Sequence, residues 1–458
     1  MDIVKRINNL IETKRDTFIH ISDQIWEYAE TNYTEHKSSE LLAKTLENEG
    51  FTVVRHAGDI PTAFTATYGS GYPVIAILGE YDALFHLSQV GGIAKKQPIV
   101  EEGNGHGCGH NLLGTAGVAA AIAVREILEE EKLPGTIRFY GCPAEEGGAG
   151  KVHMLRAGLF DDVDAALTWH PSPSNAVISI RLIANNRINF TFKGRSAHAG
   201  LNPQNGRSAL DAAELMNVGA NFLREHLIQD TRLQYAFLNA GGHSANVVQA
   251  EAEVQYLLRG PNMTVVKDMA ERVIDIAKGA ALMTGTTVNY SVVSGTSDLI
   301  PNEPLERLMY SCFEELGVPQ FNDEEKQFAK AIRDTISKAE KISSKELDDS
   351  LYPYTYDMGI AHGSSDVGDI SWKVPTAQCT VACMAQDTSL HTWQAVSQGK
   401  TSIGHKGMLH AGKVIGLTAI ELFKNPEIVE QAKQAHDEEL KDQPYIPPMP
   451  DGVGIPEV

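Results

Sequence analysis

The chain has few cysteines, few aromatic residues and a shortage of positive charge. Its 458 residues include five cysteines, 7% aromatic residues, and 39 Lys and Arg against 59 Asp and Glu, for a formal net charge of -20. A small odd number of cysteines in so long a chain does not build a disulfide framework, which favours a reducing compartment. The acidic excess argues against a nucleic-acid backbone or an anionic membrane surface as partner, because both require a basic face.

Long hydrophobic runs and several common motifs are also missing. The longest apolar run, residues 112–124, is too short to cross a bilayer and ends at Arg125. The first ten residues predict an amphipathic helix without the apolar centre of a signal peptide, so we expect a cytoplasmic protein. No strand is followed by a Gly-x-Gly-x-x-Gly or Walker pattern, and no Gly-x-Ser-x-Gly occurs. A glycine-rich phosphate loop and a serine nucleophile elbow are therefore excluded.

One glycine-rich stretch, residues 103–114, does contain candidate metal ligands. His106, Cys108 and His110 are spaced two apart and separated by glycines. Glycine allows tight turns close to an ion, and imidazole and thiolate are preferred ligands of zinc-like metals. A glycine-rich turn with a buried cysteine and two surface histidines would show the same pattern. This stretch alone leaves both interpretations open.

Further polar residues follow three predicted buried strands. The strands are residues 73–78, 136–140 and 165–168, and the residues that follow them are Asp82, the pair Glu145 and Glu146, and His170. Open α/β sheets form their sites at the carboxyl ends of strands. This convergence favours the metal site over the simple turn.

The elements predict an α/β protein of two domains. We expect a catalytic domain, with a mixed sheet between helices, formed by residues 1–184 and 295–458. Alternating strands and two long helices predict an inserted α+β lid and dimerisation domain over residues 185–294. Residues 1–50 predict two helices, residues 324–349 a solvated helix or flap, and residues 408–423 the last helix. The tail from Lys441 is expected to be draped over the surface or disordered.

Paired glutamates suit metal-assisted hydrolysis of an amide. Neighbouring side chains in an extended segment point in opposite directions, so one of Glu145 and Glu146 can bind metal while the other faces a water. An isolated Glu-Glu pair would more often be an exposed turn. His198, in a loop of small residues, suits either an oxyanion donor or a structural histidine. His391 and His405 each precede an amphipathic segment, a position that is more often structural.

Taken together, these motifs resemble the two-metal aminoacylase/carboxypeptidase superfamily. The Cys-Gly-His form is similar to its amidohydrolase branch, and the resemblance runs nearly the full length of the chain. The segments that carry it are residues 79–84, 105–110, 143–147, 169–171, 196–198, 246–249, 364–372, 391–394 and 404–407.

The resemblance implies roles for particular residues. The metal ligands it implies are Cys108, His110, Glu146, His170 and His405. It makes Glu145 the general base, His198 the oxyanion donor, and Asp82 the carboxylate that orients a histidine ligand. In relatives, the residue matching His198 can reach the site of a partner subunit. Residues matching Asn246 and Arg259 bind the substrate's carboxylate. Many members have His-x-Asp where this chain has Glu80-Tyr81-Asp82, which leaves Glu80, like His106, without a role.

The implied activity is hydrolysis of an N-acyl amino acid by two divalent metal ions, zinc or manganese. We expect p-aminobenzoyl-glutamate as the substrate and p-aminobenzoate and glutamate as products. A dipeptidase or a general N-acyl-amino-acid hydrolase would use the same residues, and a non-catalytic companion subunit is a third possibility. The expected assembly is a homodimer or a hetero-oligomer with a paralogous A-type subunit.

Overall fold

The computed structural model describes residues 2–455. Its helices are α1 (Ile3–Thr13), α2 (Arg15–Tyr28), α3 (His36–Asn48), α4 (His110–Glu131), α5 (Gly150–Arg156), α6 (Ala209–Leu223), α7 (Met263–Thr284), α8 (Glu303–Leu316), α9 (Asp323–Arg333), α10 (Val367–Ser371), α11 (Trp393–Gln398), α12 (Ser402–Lys424) and α13 (Pro426–Glu439). Its strands are β1 (Thr52–Arg55), β2 (Phe64–Ser70), β3 (Val74–Glu80), β4 (Gly135–Cys142), β5 (Ala165–Ser172), β6 (Ala176–Val177), β7 (Arg181–Leu182), β8 (Ala184–Lys193), β9 (Arg232–Asn239), β10 (Glu251–Gly260), β11 (Thr287–Thr296), β12 (Ile360–Ala361) and β13 (Thr376–Ala382).

A seven-stranded mixed sheet carries the larger core. Its order is β1-β2-β4-β3-β5-β13-β6, and β3, β4, β5 and β13 run parallel in its centre. Helices α3, α4, α8 and α12 pack against it, α1 and α2 pack on α4, and all six belong to one hydrophobic cluster. The predicted α/β class with a mixed sheet between helices is therefore confirmed.

Helix α4 is long and apolar enough, by composition alone, to cross a membrane. However, 89% of its most apolar window is buried inside the protein. It packs between α12 and the central strands, which accounts for its apolar character on all sides.

A second sheet has its own core. Its four antiparallel strands are ordered β11-β8-β10-β9, and α6 and α7 cover one face. These elements run from Ala184 to Thr296. The domain boundaries at residues 185 and 294 stay a prediction.

Several elements differ from those expected. Residues 1–50 form three helices, since α1 precedes the two expected ones, and α13 follows the expected last helix. Strand β9, a mostly exposed strand at a sheet edge, is not among the expected strands, although Leu233, Tyr235 and Phe237 alternate along it. The charged stretch 324–349 is helical only as far as Arg333.

The C-terminal tail is draped as far as residue 455. The Pro448 carbonyl accepts a hydrogen bond from Asn186 Nδ2, and the Tyr445 hydroxyl donates one to Asp369. Met449 is fully buried. The tail therefore links the four-stranded sheet to helix α10.

Candidate metal centre

Parallel pairing brings the polar strand ends together. Strand β3 lies between β4 and β5 and pairs with both in parallel, so all three end at one edge of the sheet. Glu80 closes β3, Glu145 and Glu146 follow β4, and His170 lies near the end of β5. The convergence expected from the sequence is present in the fold.

The glycine-rich loop supplies two more donors to this edge. Gly109 has a left-handed φ of 73° directly before α4 begins at His110. A Cβ at Gly109 would also lie 3.0 Å from the Cβ of Pro171, next to His170. A side chain is thus disfavoured here both by the backbone conformation and by the contact. The turn therefore packs closely on β5 and places Cys108 and His110 beside the end of that strand.

Three overlapping groups of side chains could each hold an ion. They are Cys108, His110 and His170; Cys108, Glu146 and His391; and Glu80, His110 and Glu145. Within each group the ligand atoms lie within 4.8 Å of one another. Cys108 Sγ is 3.3 Å from His170 Nε2, and His391 Nε2 is 3.3 Å from Glu146 Oε2.

Two buried atoms in these groups have no hydrogen-bond partner among the described residues. They are His110 Nε2 and Glu146 Oε1. An unsatisfied buried polar atom is costly, so its presence calls for an explanation. Thiolate, imidazole and carboxylate donors around these atoms match the ligands of zinc and related divalent ions. The residues present therefore fit a metal centre.

Asp82 orients His110. Its Oδ1 lies 2.9 Å from His110 Nδ1, and its Oδ2 accepts a hydrogen bond of 2.9 Å from the Glu146 backbone amide. The other ring nitrogen, Nε2, is left facing the candidate ligands. A carboxylate behind a ligating histidine commonly fixes its tautomer and ring orientation.

Glu80 belongs to a buried ion network. Its Oε1 lies 2.6 Å from Lys151 Nζ, which also donates a 2.6 Å hydrogen bond to Asp366 Oδ1. All three side chains are buried, and Glu80 Oε2 lies 3.2 Å from His110 Nε2. Burial opposes ionisation of Glu80, but the Lys151 ammonium and His110 hold its pKa below the usual range. The network thus supplies a fixed negative charge beneath the ligands.

The paired glutamates have unusual environments. Burial, followed by the charges of Glu80 and Asp366, raises the pKa of Glu145 well above its usual range. Burial also raises the pKa of Glu146 to about 7 in the metal-free protein. Both side chains line the same cavity. Such perturbed carboxyl groups are typical of catalytic and metal sites.

One of the expected histidine ligands, His405, lies apart from the groups of candidate ligands, and its role stays a prediction. His405 belongs to none of the three groups found among residues 2–455; its Nε2 lies 2.8 Å from Asp23 Oδ1, linking α12 to α2. His391 lies beside Cys108 and Glu146 instead, and its backbone amide donates a hydrogen bond to the Gly107 carbonyl.

The glycines around His405 have a packing role. A Cβ at Gly407 would lie 2.4 Å from both the Ala382 carbonyl oxygen and Cys383 Sγ. These glycines therefore let α12 approach the end of β13. His391 lies in one of the segments that carry the resemblance, residues 391–394, but its place beside the ligands depends on contact with the Gly107 loop. His106 is also outside the groups: it is buried, and its Nε2 lies 3.0 Å from the Ile25 carbonyl oxygen.

A cavity of about 840 Å³ joins the candidate ligands to the four-stranded sheet. Glu145, Glu146, Cys108, His170 and His391 line it from the side of the seven-stranded sheet, and Arg259 lines it from β10 of the four-stranded sheet. His198 and Asn246 do not line it. Both are exposed in adjoining loops, where the Ala199 amide donates a hydrogen bond to the Asn246 carbonyl.

The fold and this site define a metal-dependent hydrolase, and comparison with known proteins gives its family. The family model described as Peptidase family M20/M25/M40 matches residues 76–371. The chain is 48% identical to the B-type subunit of p-aminobenzoyl-glutamate hydrolase from Escherichia coli (strain K12), over 99% of this chain and 98% of that protein. The chain belongs to peptidase family M20/M25/M40 and is a hydrolase.

Two further likenesses are more distant. The Xaa-Arg dipeptidase of Mus musculus is 28% identical over 93% of this chain and 90% of its own length. A dinuclear metal-binding peptidase of the M20 family from Bacillus subtilis has a similar fold, with a TM-score of 0.59. That structure is 17% identical and is matched over 90% of this chain and 99% of its own.

Proposed function

We propose that the chain hydrolyses N-acyl amino acids, with p-aminobenzoyl-glutamate as substrate and p-aminobenzoate and glutamate as products. The observation that carries the proposal is the single cavity that joins the candidate ligands to Arg259. When the amide carbonyl of the substrate lies next to the candidate metal ligands, the carboxylate of the leaving amino acid points towards Arg259. The relative that shares 48% of its residues with this chain is named for the same substrate.

Two divalent ions held by Cys108, His110, Glu146, His170 and His391 would supply Lewis acidity to the amide carbonyl and to the attacking water. Glu145 takes the proton of that water and passes it to the departing amine. Arg259 binds the α-carboxylate, for which guanidinium has matching geometry. The thiolate favours zinc on softness, while the carboxylates and imidazoles also accept manganese.

His198 and Asn246 are proposed to act in the site of a second chain. Both lie on exposed loops away from the cavity of their own chain. We infer a homodimer, or a hetero-oligomer with a paralogous A-type subunit, in which His198 reaches the partner's cavity as oxyanion donor. The name of the relative, a B-type subunit, supports the hetero-oligomer. Five free, buried cysteines support a cytoplasmic location.

The substrate is tested with a panel of acyl amino acids. Purified protein is loaded with zinc or manganese and assayed on p-aminobenzoyl-glutamate, acetyl amino acids and Xaa-Arg dipeptides, alone and with an A-type subunit. We expect the highest kcat/KM for p-aminobenzoyl-glutamate. A dipeptidase specific for arginine would instead bring a cationic side chain into a cavity lined by Arg187, Arg232 and Arg259. Preference for such dipeptides, or no hydrolysis under any condition, would reject the proposal.

The histidine ligand is tested with a matched pair of variants. His391→Ala should lower the number of metal ions retained after dialysis, because it removes a donor from the group with Cys108 and Glu146. His405→Ala should retain the wild-type number, since this histidine only links α12 to α2. Metal content is measured by mass spectrometry. Loss of metal in the His405 variant alone would restore the assignment made from the sequence.

A further inference from the structure

Three arginines lie on the wall of the cavity that the four-stranded sheet supplies. They are Arg187 on β8, Arg232 on β9 and Arg259 on β10, and all three line the cavity. Its acidic side chains, Glu80, Glu145 and Glu146, come from the ends of β3 and β4 in the seven-stranded sheet. The cavity therefore has a basic wall and an acidic wall, in a protein of net charge -20.

Strand register places these arginines on one face of the sheet, in two neighbouring rows. The first row across the four strands is Arg232, Arg259, Asn185 and Thr296, and the second is Gln234, Leu257, Arg187 and Ser294. All eight residues line the cavity. Arg187 and Arg259 are diagonal neighbours on adjacent strands, a relation in which long side chains reach each other.

Arg187 and Arg259 have no acidic partner among the described residues. Arg259 Nη1 donates a hydrogen bond of 2.9 Å to Ser364 Oγ. The Arg187 side chain makes no hydrogen bond to any of the residues that the structure describes. Burial is the only cause that lowers the pKa of Arg187, and burial followed by the Arg187 charge lowers that of Arg259. Arg232 differs, because its Nη1 donates to the Gln229 and Thr231 carbonyls.

Two half-buried cations next to each other, without counter-charge, are unfavourable in the free protein. Elsewhere the chain pairs such groups: Arg333 with Asp387, and Arg181 with Glu439. Arg187 and Arg259 lack such an acidic partner and face a cavity, which indicates that a bound ligand supplies the negative charge. One carboxylate neutralises one guanidinium, so the pair indicates a ligand with two carboxylates.

We propose that Arg187 binds the side-chain carboxylate of a dicarboxylic amino acid whose α-carboxylate is bound by Arg259. This inference rests on the proposed function and extends it to the choice of leaving group. The chain enters β8 at Ala184 and leaves β11 at Thr296, so the row of Arg259 is nearer the seven-stranded sheet. The row of Arg187 is two residues, roughly 7 Å, farther along the strands. The α-carboxylate, next to the amide, therefore belongs to Arg259, and the more distant carboxylate to Arg187.

The test compares glutamate and glutamine in otherwise identical substrates. Arg187→Gln should lower kcat/KM for p-aminobenzoyl-glutamate by about 30-fold or more, mainly through KM, the usual loss on truncating one partner of a buried charged pair. For p-aminobenzoyl-glutamine, whose side chain is neutral, kcat/KM should change little. Arg187→Lys should recover part of the loss as a point charge. Arg272→Gln, on the exposed surface of α7, is the matched control and should leave both substrates unaffected.

Calorimetry of glutarate binding and thermal unfolding supply readouts that do not depend on turnover. We expect Arg187→Gln to weaken glutarate binding to the metal-free protein and to leave Tm unchanged or higher, because it removes an uncompensated cation. An equal loss for the glutamate and glutamine substrates, or a lower Tm with unchanged glutarate binding, would overturn the role of Arg187. If the wild type cleaves acyl amino acids but no acyl-glutamate, the proposed function itself fails. Measurements on the wild type therefore test the proposed substrate, and the comparison with Arg187→Gln tests the role of Arg187.

Discussion

Glu145→Gln should lower kcat by about 10²–10⁴, the usual contribution of a general base. Glutamine keeps the size and polarity of the side chain but cannot take a proton from water. KM and metal content should stay close to the wild type, because all five proposed ligands are retained. Initial rates on p-aminobenzoyl-glutamate and metal analysis of the same sample measure both effects.

Glu146→Gln is the neighbouring control. It removes a carboxylate from the group with Cys108 and His391, so it should lower metal content together with kcat. Near-normal turnover in Glu145→Gln would show that the base is elsewhere.

Mixing Glu145→Gln chains with His198→Ala chains tests whether two chains share a site. A mixed dimer would regain activity, because one of its sites has both Glu145 and His198. If each site were complete within one chain, mixing would restore no activity.

The second large effect concerns stability. Lys151→Met should lower the free energy of unfolding by about 3–5 kcal/mol, the usual cost of breaking a buried ion pair from one side. The reason is that Glu80 and Asp366 both lie 2.6 Å from the Lys151 ammonium and would remain buried without it. Urea unfolding of the metal-free protein measures the loss.

Lys433→Met provides the comparison for this variant. Its ion pair with Asp164 is partly exposed, and Asp164 also accepts a hydrogen bond from the Val74 amide. The loss should therefore be about 1 kcal/mol or less. Adding Asp366→Asn to Lys151→Met should recover part of the stability, because one unpaired charge is removed. Equal unfolding midpoints for the Lys151 and Lys433 variants would mean that the network contributes little.

The central sheet could be predicted because its strands are buried on both faces. Residues 73–78 and 165–168 are continuous apolar runs, and the structure has β3 and β5 there. The placing of Asp82 and His170 at one edge followed from those strand ends. Strand β9 has no such run, because Leu233, Tyr235 and Phe237 alternate with Gln234 and Ala236 and most of its residues are exposed.

The position of the fifth ligand depends on contacts between distant segments. The resemblance implied His405 as a ligand, whereas Gly407 beside it permits close packing of α12 on the end of β13. His391 lies beside the candidate ligands through its backbone contact with Gly107, a pairing that the resemblance of residues 391–394 did not by itself turn into a ligand role. The basic wall of the cavity could not be predicted from the sequence either. Arg187 looks like an ordinary strand residue until the register places it diagonally across from Arg259.

The position of the four-stranded sheet within the chain also constrains synthesis. Asp366, β13 and His391 all follow it, so a ribosome must translate the whole insertion before the network, the central sheet and the candidate site can close. Until β13 emerges, β5 has an unpaired edge, and until α12 emerges, α4 lacks its main helical neighbour. Exposed edges and apolar helices favour aggregation. A nascent chain halted near residue 300 is therefore the form of this protein with the greatest need of a chaperone.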